Sequence, residues 1–384
     1  MVTIGTGRHN EKMNEIQFLE STQNLRRHMV QSQGWRPSPD QAWSIAACVR
    51  QGRLFFESAK ASPLEIRPLE LYYGTAAYAK AIVLATNREL HLKDLKQSHG
   101  VKDCSGFGST LKNLQIAIQS PGAFHEFNDA VHDSNYVQVI SQNSQPLKFP
   151  CEKSDNLKGL QLSLKDIFSR MPRLEKIYHA TFGEAPNVDT LEISSFSGQY
   201  TLRTWSSERT EAVEQLIPKI QYLRERMPFL TQWAFCEASN AYGKTAIAFC
   251  NTPPKPDELS VDSIAINQEV EMFIGNQHPK FTECFKVDEG KFLTLIGDGA
   301  VSRYVQPIGD KYISIPSLNF MALHLLSSLV RYRPATWMHA LSRTSNKDRE
   351  SDDQMLAIVE TFMDGILQSV PQFVVELIAP GLHV

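Results

Sequence analysis

The chain has 384 residues, of which 42% are hydrophobic and 21% charged, with a formal net charge of −3 at neutral pH. This is the balance of a folded globular protein rather than a disordered one, and it leaves no global field to draw in phosphate backbones, so any nucleic-acid surface has to be local. The first twenty residues are too polar for a signal peptide, and nowhere do about 18 apolar residues follow one another, so a cytoplasmic protein without a membrane anchor is expected. Its six cysteines form no C-x-x-C pair and lie beside no histidine at zinc spacing, so they read as reduced thiols and no metal site or cofactor is expected.

Residues 1–37 read as a flexible N-terminal segment. Ser38-Pro39-Asp40 then opens a helix running to about Ser58, with serine as cap and proline in the first turn. Trp43, Ala46, Ala47, Leu54 and Phe55 recur along it at helical spacing. A second helix starts near Pro68 and ends by Asn87. It is apolar nearly all round and yet carries Arg67, Tyr72, Tyr73 and Lys80, so it is expected to be buried with its polar groups paired. Leu111 to Gln119 reads as a small extended element, completing an N-terminal helical region over 38–145.

From 146 to 312 the pattern changes to a strand-rich middle. After a linker-like stretch and a short helix capped at Ser163 and ending near Pro172, the segments Asp189–Phe196, Tyr200–Trp205, Thr245–Cys250 and Phe292–Ile296 are short and rich in β-branched and aromatic residues. An antiparallel sheet follows from them, interrupted by a helix over Glu208–Arg226. Helix returns in a C-terminal region, 313–384, at Ser317–Leu329 and from Asp352 to about Val370, where Pro371 is expected to stop it. The fold class expected is α+β, with the N- and C-terminal helices packed on one another and the sheet as a companion region.

Arg333 and His339, six positions apart, are the candidate catalytic pair. With Pro334 opening a new helix they reach a shared pocket, where arginine offers a planar fork for phosphate and histidine titrates near neutrality. Such a pair can cleave RNA without a metal, the histidine moving a proton and the arginine carrying the charge of the phosphorane. The structural alternative is a solvated helix start stabilised by arginine. Arg331, Arg67, Lys80, Tyr72, Tyr73 and His99 form the candidate phosphate-binding or polar-network set. Arg67, ahead of a proline, also suits a helix start that reaches a carboxylate or carbonyl. Lys80, on the face of Tyr72 and Ala76, suits a tyrosine hydroxyl or acidic partner, and His99 suits a loop-stabilising hydrogen bond.

The segments RPLELYYGTAAYAKAIVL, SHGV, IAIQSPGAFHEF, SLKDIFSRMPRLEKIY and LLSSLVRYRPATW occur in the order of the YaaC-like family of bacterial proteins, and over roughly residues 40–340 the chain resembles that family. A broader similarity links Tyr72-Tyr73-Gly74, the apolar run to Lys80-Ala81 and His99-Gly100-Val101 to HEPN domains, helical bundles found in many bacterial RNases. That resemblance implies a HEPN-like bundle, usually dimeric, acting on RNA in phage defence, with Arg333 and His339 at the positions of its catalytic arginine and histidine. Here Tyr332 and Pro334 flank the arginine, where that motif has a polar residue directly after it.

Three functions therefore compete. One is an RNA-binding protein or endoribonuclease, with RNA as partner and a homodimer as the default assembly. The second is a non-catalytic interaction or regulatory module that binds another protein of the same system. The third is an enzyme of nucleotide metabolism using a phosphate pocket of Arg67, Tyr73, Lys80 and Arg331.

Overall fold

The computed structural model describes residues 13–106, 108–119, 121–132, 136–137, 147–148, 151–196, 199–206, 208–210, 213–250, 264–267, 270–273, 300–341 and 353–382. The fold is α+β, and the chain divides into two compact units, one made of residues up to 133, 151–186 and 309 onward, the other of 134–150 and 187–308. Residues 151–186 thus belong with the helices, although from sequence they open the strand-rich middle.

In the helical unit, residues 13–19 and α1 (Thr22–Gln33) are helical, and Ile16, Leu19, Leu25 and Met29 are buried. The expectation of a flexible segment over 1–37 therefore fails for 13–33. Leu25 and Met29 are four apart and share one face, which supplies enough apolar contact to hold a polar helix. Helix α2 (Pro39–Ala61) begins with a capping box in which Ser38 Oγ accepts from the Gln41 amide and the Gln41 side chain accepts from the Ser38 amide. Its buried face is Ala42, Ile45, Ala46, Val49, Phe56 and Ala59, so the apolar stripe read from sequence is only partly the core, and Trp43 and Leu54 are 70% and 50% exposed.

Helix α3 (Arg67–Thr86) is buried along most of its length, as its apolar circumference requires. It packs on α2 through two glycines. A Cβ at Gly52 would sit 2.5 Å from the Tyr78 ring, and one at Gly74 would sit 2.5 Å from the Phe56 ring. Each helix therefore presents a hole to an aromatic side chain of the other. Against the remaining faces of α3 pack α9 (Ile315–Tyr332) and α11 (Asp353–Ile378), so helices from both ends of the chain share one core. Helix α11 continues through Pro371, which was expected to end it. Val374, Val375 and Ile378 beyond the proline are buried, and that apolar contact offsets the lost backbone hydrogen bond.

A small antiparallel sheet of order β1 (Val101–Asp103), β2 (Gln115–Ile118), β5 (Gln161–Ser163) completes this unit. Between and after these strands lie α4 (Ala123–Val131), α5 (Ser154–Leu157), α6 (Leu164–Phe168) and α7 (Glu175–Phe182). Helix α6 starts at the expected capping box of Ser163 and Asp166. After α9, Pro334 does open a further helix, α10 (Pro334–Leu341).

The second unit contains a short pair, β3 (Tyr136–Val137) with β4 (Leu147–Lys148), and a seven-stranded antiparallel sheet. The sheet comprises β6 (Val188–Phe196), β7 (Gln199–Trp205), β8 (Ala234–Ala241), β9 (Lys244–Cys250), β10 (Ile264–Asn267), β11 (Val270–Phe273) and β12 (Ala300–Val305), in the order β10-β11-β8-β9-β7-β6-β12. Leu216, Ile220 and Leu223 of α8 (Val213–Arg226) are buried in this unit, as is every residue of β9 after Lys244. Residues 208–210 are not helical, which shortens the helix expected from Glu208, and the Phe292–Ile296 strand lies outside the described residues.

Candidate functional site

Three segments of the helical unit converge on one cluster of titratable groups. From α3 comes Tyr72, from the loop before β1 comes His99, and from α9 come His324 and Arg331. Tyr72 is fully buried, and its hydroxyl lies 2.7 Å from His99 Nδ1. The His324 ring stands edge-on to both, with centroids 5.3 Å from Tyr72 and 5.1 Å from His99. The Arg331 guanidinium lies 5.7 Å from the Tyr72 ring centroid and 4.9 Å from that of Tyr332. It is steadied by the Ser327 carbonyl and hydroxyl of its own helix, both 3.3 Å away.

The backbone explains how His99 is held. The amides of Ala123 and Phe124, at the start of α4, donate to the carbonyls of Ser98 and His99 at 2.8 and 2.9 Å, and the Gln119 amide donates to Gly100 at 3.0 Å. That contact needs glycine on both sides. Gly100 has φ +77°, and a Cβ at Gly122 would lie 2.5 Å from the Gly100 nitrogen. The sequence pieces Ser98-His99-Gly100 and Pro121-Gly122 are thus two halves of one clasp that fixes the histidine opposite Tyr72.

The electrostatics of the cluster follow from burial beside a cation. His324 is buried, and desolvation, followed by the nearby His99 and Arg331, pushes its pKa down to about 3. Its Nδ1 has no hydrogen-bond partner among the described residues. His99 is exposed, and desolvation together with Arg331 lowers its pKa as well. Burial raises the pKa of the Tyr72 phenol, so at neutral pH the phenol keeps its proton and both imidazoles are neutral.

One turn along α9 a second polar group adjoins the first. Asp103, at the end of β1, accepts from the Ser105 hydroxyl at 2.5 Å, the Ser105 amide at 3.0 Å and the Ser328 hydroxyl at 2.8 Å, and it pairs with the Arg333 guanidinium. Desolvation opposes its ionisation, but these hydrogen bonds and Arg333 outweigh it and hold the carboxyl below its ordinary range. Asp103 in turn acts on His324, favouring its protonated form.

The sequence-derived set is therefore divided. Tyr72, His99 and Arg331 come together. Tyr73 is next to them, partly exposed, stacked on Phe55 with centroids 5.8 Å apart. Arg333 is engaged with Asp103, while His339 is exposed on α10. Arg67 donates to the Ser62 carbonyl and pairs with Asp364 at 3.5 Å, as a helix-start arginine would. Lys80 is exposed and makes no hydrogen bond or ion pair with the described residues, because eight helical residues carry it about two turns and 80° away from Tyr72. His324, Asp103 and Ser328 were not singled out from sequence. The polar stripe His324, Ser327, Ser328, Arg331, spaced i, i+3, i+4, i+7 in an otherwise apolar helix, is the signal that marks them.

Among the described residues no helix is long and apolar enough to cross a membrane, and no three His, Cys, Asp or Glu side chains are grouped to hold a metal ion. The family profile described as YaaC-like Protein matches residues 9–378, nearly the whole chain. No curated protein and no solved structure matches it.

Proposed function

The chain belongs to the YaaC-like protein family, and from the chemistry of its polar cluster we propose that it is an RNA-binding protein that cleaves RNA with its own side chains, in the setting of phage defence. The observation that carries this reading is the pairing of an exposed neutral histidine, His99, with a fixed cation, Arg331, over the shared Tyr72 ring. With Nδ1–H donated to the phenol oxygen, His99 Nε2 has a free lone pair. That nitrogen takes the proton of a ribose 2'-hydroxyl as the hydroxyl oxygen attacks the adjacent phosphorus. The 5'-oxygen leaves with a proton from solvent, giving a 2',3'-cyclic phosphate and a 5'-hydroxyl end. Arg331 carries the growing charge on the phosphoryl oxygens. Tyr72 positions His99, and burial together with Arg331 keeps it neutral. In this reading His99 replaces His339 as the base and Arg331 replaces Arg333, whose charge is already matched by Asp103. The sequence resemblance of the Tyr72–Gly74 and His99–Val101 segments to HEPN domains supports RNA as the substrate.

The test is incubation of purified protein with total RNA and tRNA in EDTA. Cleavage is expected, lost in His99→Ala and Arg331→Ala and retained in His339→Ala. Because burial and Arg331 lower the His99 pKa, the rate should rise with pH through a midpoint below the ordinary histidine value and then level off. Cleavage by His99→Ala at the wild-type rate refutes the assignment.

A second reading, an interaction module, is favoured by the exposed apolar stripe on α2. Trp43 and Leu54, with Leu92, line a groove of about 810 Å³ that also contains Lys80 and Glu70. Its occupant in that reading is a second copy of the chain or another protein of the same system. Sedimentation of the wild type against Trp43→Ser/Leu54→Ser tests the first.

A further inference from the structure

The mouth of the cluster carries an aromatic ring that the proton-transfer chemistry leaves unused. Tyr332 is 71% exposed at the end of α9, and the Arg331 guanidinium lies 4.9 Å from its ring centroid. Arg331 also lies 5.7 Å from the Tyr72 ring, whose hydroxyl meets His99. The order in space is therefore an exposed ring, a cation, a buried ring and an exposed histidine. Tyr73, 39% exposed beside Tyr72, adds a second ring.

An exposed tyrosine contributes nothing to a core, and its ring is held beside the cation of the cluster that has no carboxylate partner among the described residues. Among the described residues Arg331 is hydrogen-bonded to Ser327 of its own helix, whereas Arg333, two residues on, is matched by Asp103. An unmatched guanidinium next to a flat apolar face suits a ligand that is anionic at one point and aromatic at the next, as a nucleotide is.

We propose that Tyr332 is a base-stacking platform that makes the site selective for unpaired nucleotides, with the phosphate on Arg331 and the adjoining base on the exposed ring. This rests on the RNA reading above and adds the substrate class. In a duplex both faces of a base are already covered by its neighbours, so only a looped-out, terminal or single-stranded base can lie on Tyr332. Stacking is indifferent to base identity, so the selectivity is for strandedness rather than sequence.

The probe is a fluorescein-labelled 2'-O-methyl octauridine, which lacks the attacking hydroxyl and stays intact, measured by fluorescence anisotropy with the full chain in EDTA. It is compared with the same oligomer annealed to its complement. The single strand should bind at least about tenfold more tightly than the duplex. Tyr332→Ala should weaken single-strand binding by about tenfold, while Tyr332→Phe, which keeps the ring, stays within twofold. Both substitutions are at an exposed position, so folding is not at risk, and circular dichroism verifies it. The proposal is overturned if Tyr332→Ala binds as the wild type does, if Tyr332→Phe loses as much as alanine, if the duplex binds equally well, or if neither oligomer binds. Cleavage assays separate the two readings. RNA cleavage by the wild type with unaltered binding in Tyr332→Ala removes the platform and leaves the RNase, whereas ring-dependent binding with undiminished cleavage by His99→Ala removes the assigned base and leaves the platform.

Discussion

Replacing His324 by phenylalanine should abolish most of the acid sensitivity of the helical unit. His324 is buried against Tyr72 and His99, with Arg331 and Asp103 the charges that act on it. Burial strips the imidazolium of water, and His99 and Arg331 add to the cost of its charge, which is why its pKa falls from 6.5 to about 3. The unfolded chain titrates this residue near its ordinary value, so between pH 6.5 and 3 the unfolded state binds the extra proton. Stability from His324 is then fully present above pH 6.5 and is lost as pH falls toward 3. Between pH 7.5 and 5.0 the loss is about 2 kcal/mol, from the proton uptake of a group with unfolded pKa 6.5 that stays neutral when folded. Guanidinium melts at the two pH values, followed by circular dichroism, measure it. Phenylalanine preserves the ring and its edge contacts, so the difference between the two melts should shrink by about 2 kcal/mol in the variant. His99 and His125, whose pKa values burial also lowers, supply a remainder of the same sign. Asp103 does not confound the window, because its depressed carboxyl loses its contribution only below the ordinary carboxylate range. A His324→Phe protein that loses as much stability as the wild type between pH 7.5 and 5.0 would refute the reasoning.

Other perturbations test the frame around the cluster. In a double-mutant cycle of Asp103→Ala and Arg333→Ala, each single change should lower the melting temperature and the pair should show a coupling of about 1–3 kcal/mol, since both side chains are mostly buried; strict additivity would mean the ion pair contributes nothing. Gly74→Ala should destabilise by about 1–3 kcal/mol despite the better helix propensity of alanine, because the new methyl falls 2.5 Å from the Phe56 ring. Gly365→Ala, whose methyl would meet nothing nearer than Arg173 Cδ at 3.7 Å, should instead stabilise by about 1 kcal/mol, and thermal melts that rank the two the other way would contradict the packing. Trp337→Ala removes a fully buried ring whose Nε1 donates to the Glu65 carbonyl at 3.1 Å and should cost about 3–5 kcal/mol by denaturant melts.

How much of this was legible depends on whether the determining contacts are local. The capping boxes at Ser38 and Ser163 are satisfied within four residues, so the starts of α2 and α6 were open to reading, as were the β-branched runs that became β6, β7 and β9. The course of α11 past Pro371 was not, because tertiary burial of Val374, Val375 and Ile378 overrides a local breaker. Trp43 and Lys80 were misplaced for a related reason. Helical spacing fixes which residues share a face but not which face the partner helix covers, and the two glycines of the α2–α3 contact decided that. The site was half legible. Tyr72, His99 and Arg331 were singled out as unusual residues in apolar or glycine-bounded surroundings, yet their meeting depends on separations such as the 225 residues between Asp103 and Ser328.

Arg333 and His339 were paired from sequence because they are close along the chain, and the structure gives each its own surroundings. The helix ends at Tyr332 and restarts at Pro334, so Arg333 lies at the break and takes the nearest carboxylate, Asp103, while His339 moves off on the exposed side of α10. What the break leaves behind is Arg331, one half-turn earlier, unmatched by a carboxylate among the described residues and close enough to both histidines to lower their pKa values. In the proposed reading, matching Arg333 with Asp103 leaves Arg331 for an outside anion, since the Asp103 carboxylate is already engaged by two serines and one guanidinium. It follows that Arg333→Ala, by releasing Asp103 toward His324 and Arg331, should impair the same chemistry as Arg331→Ala without Arg333 touching the substrate.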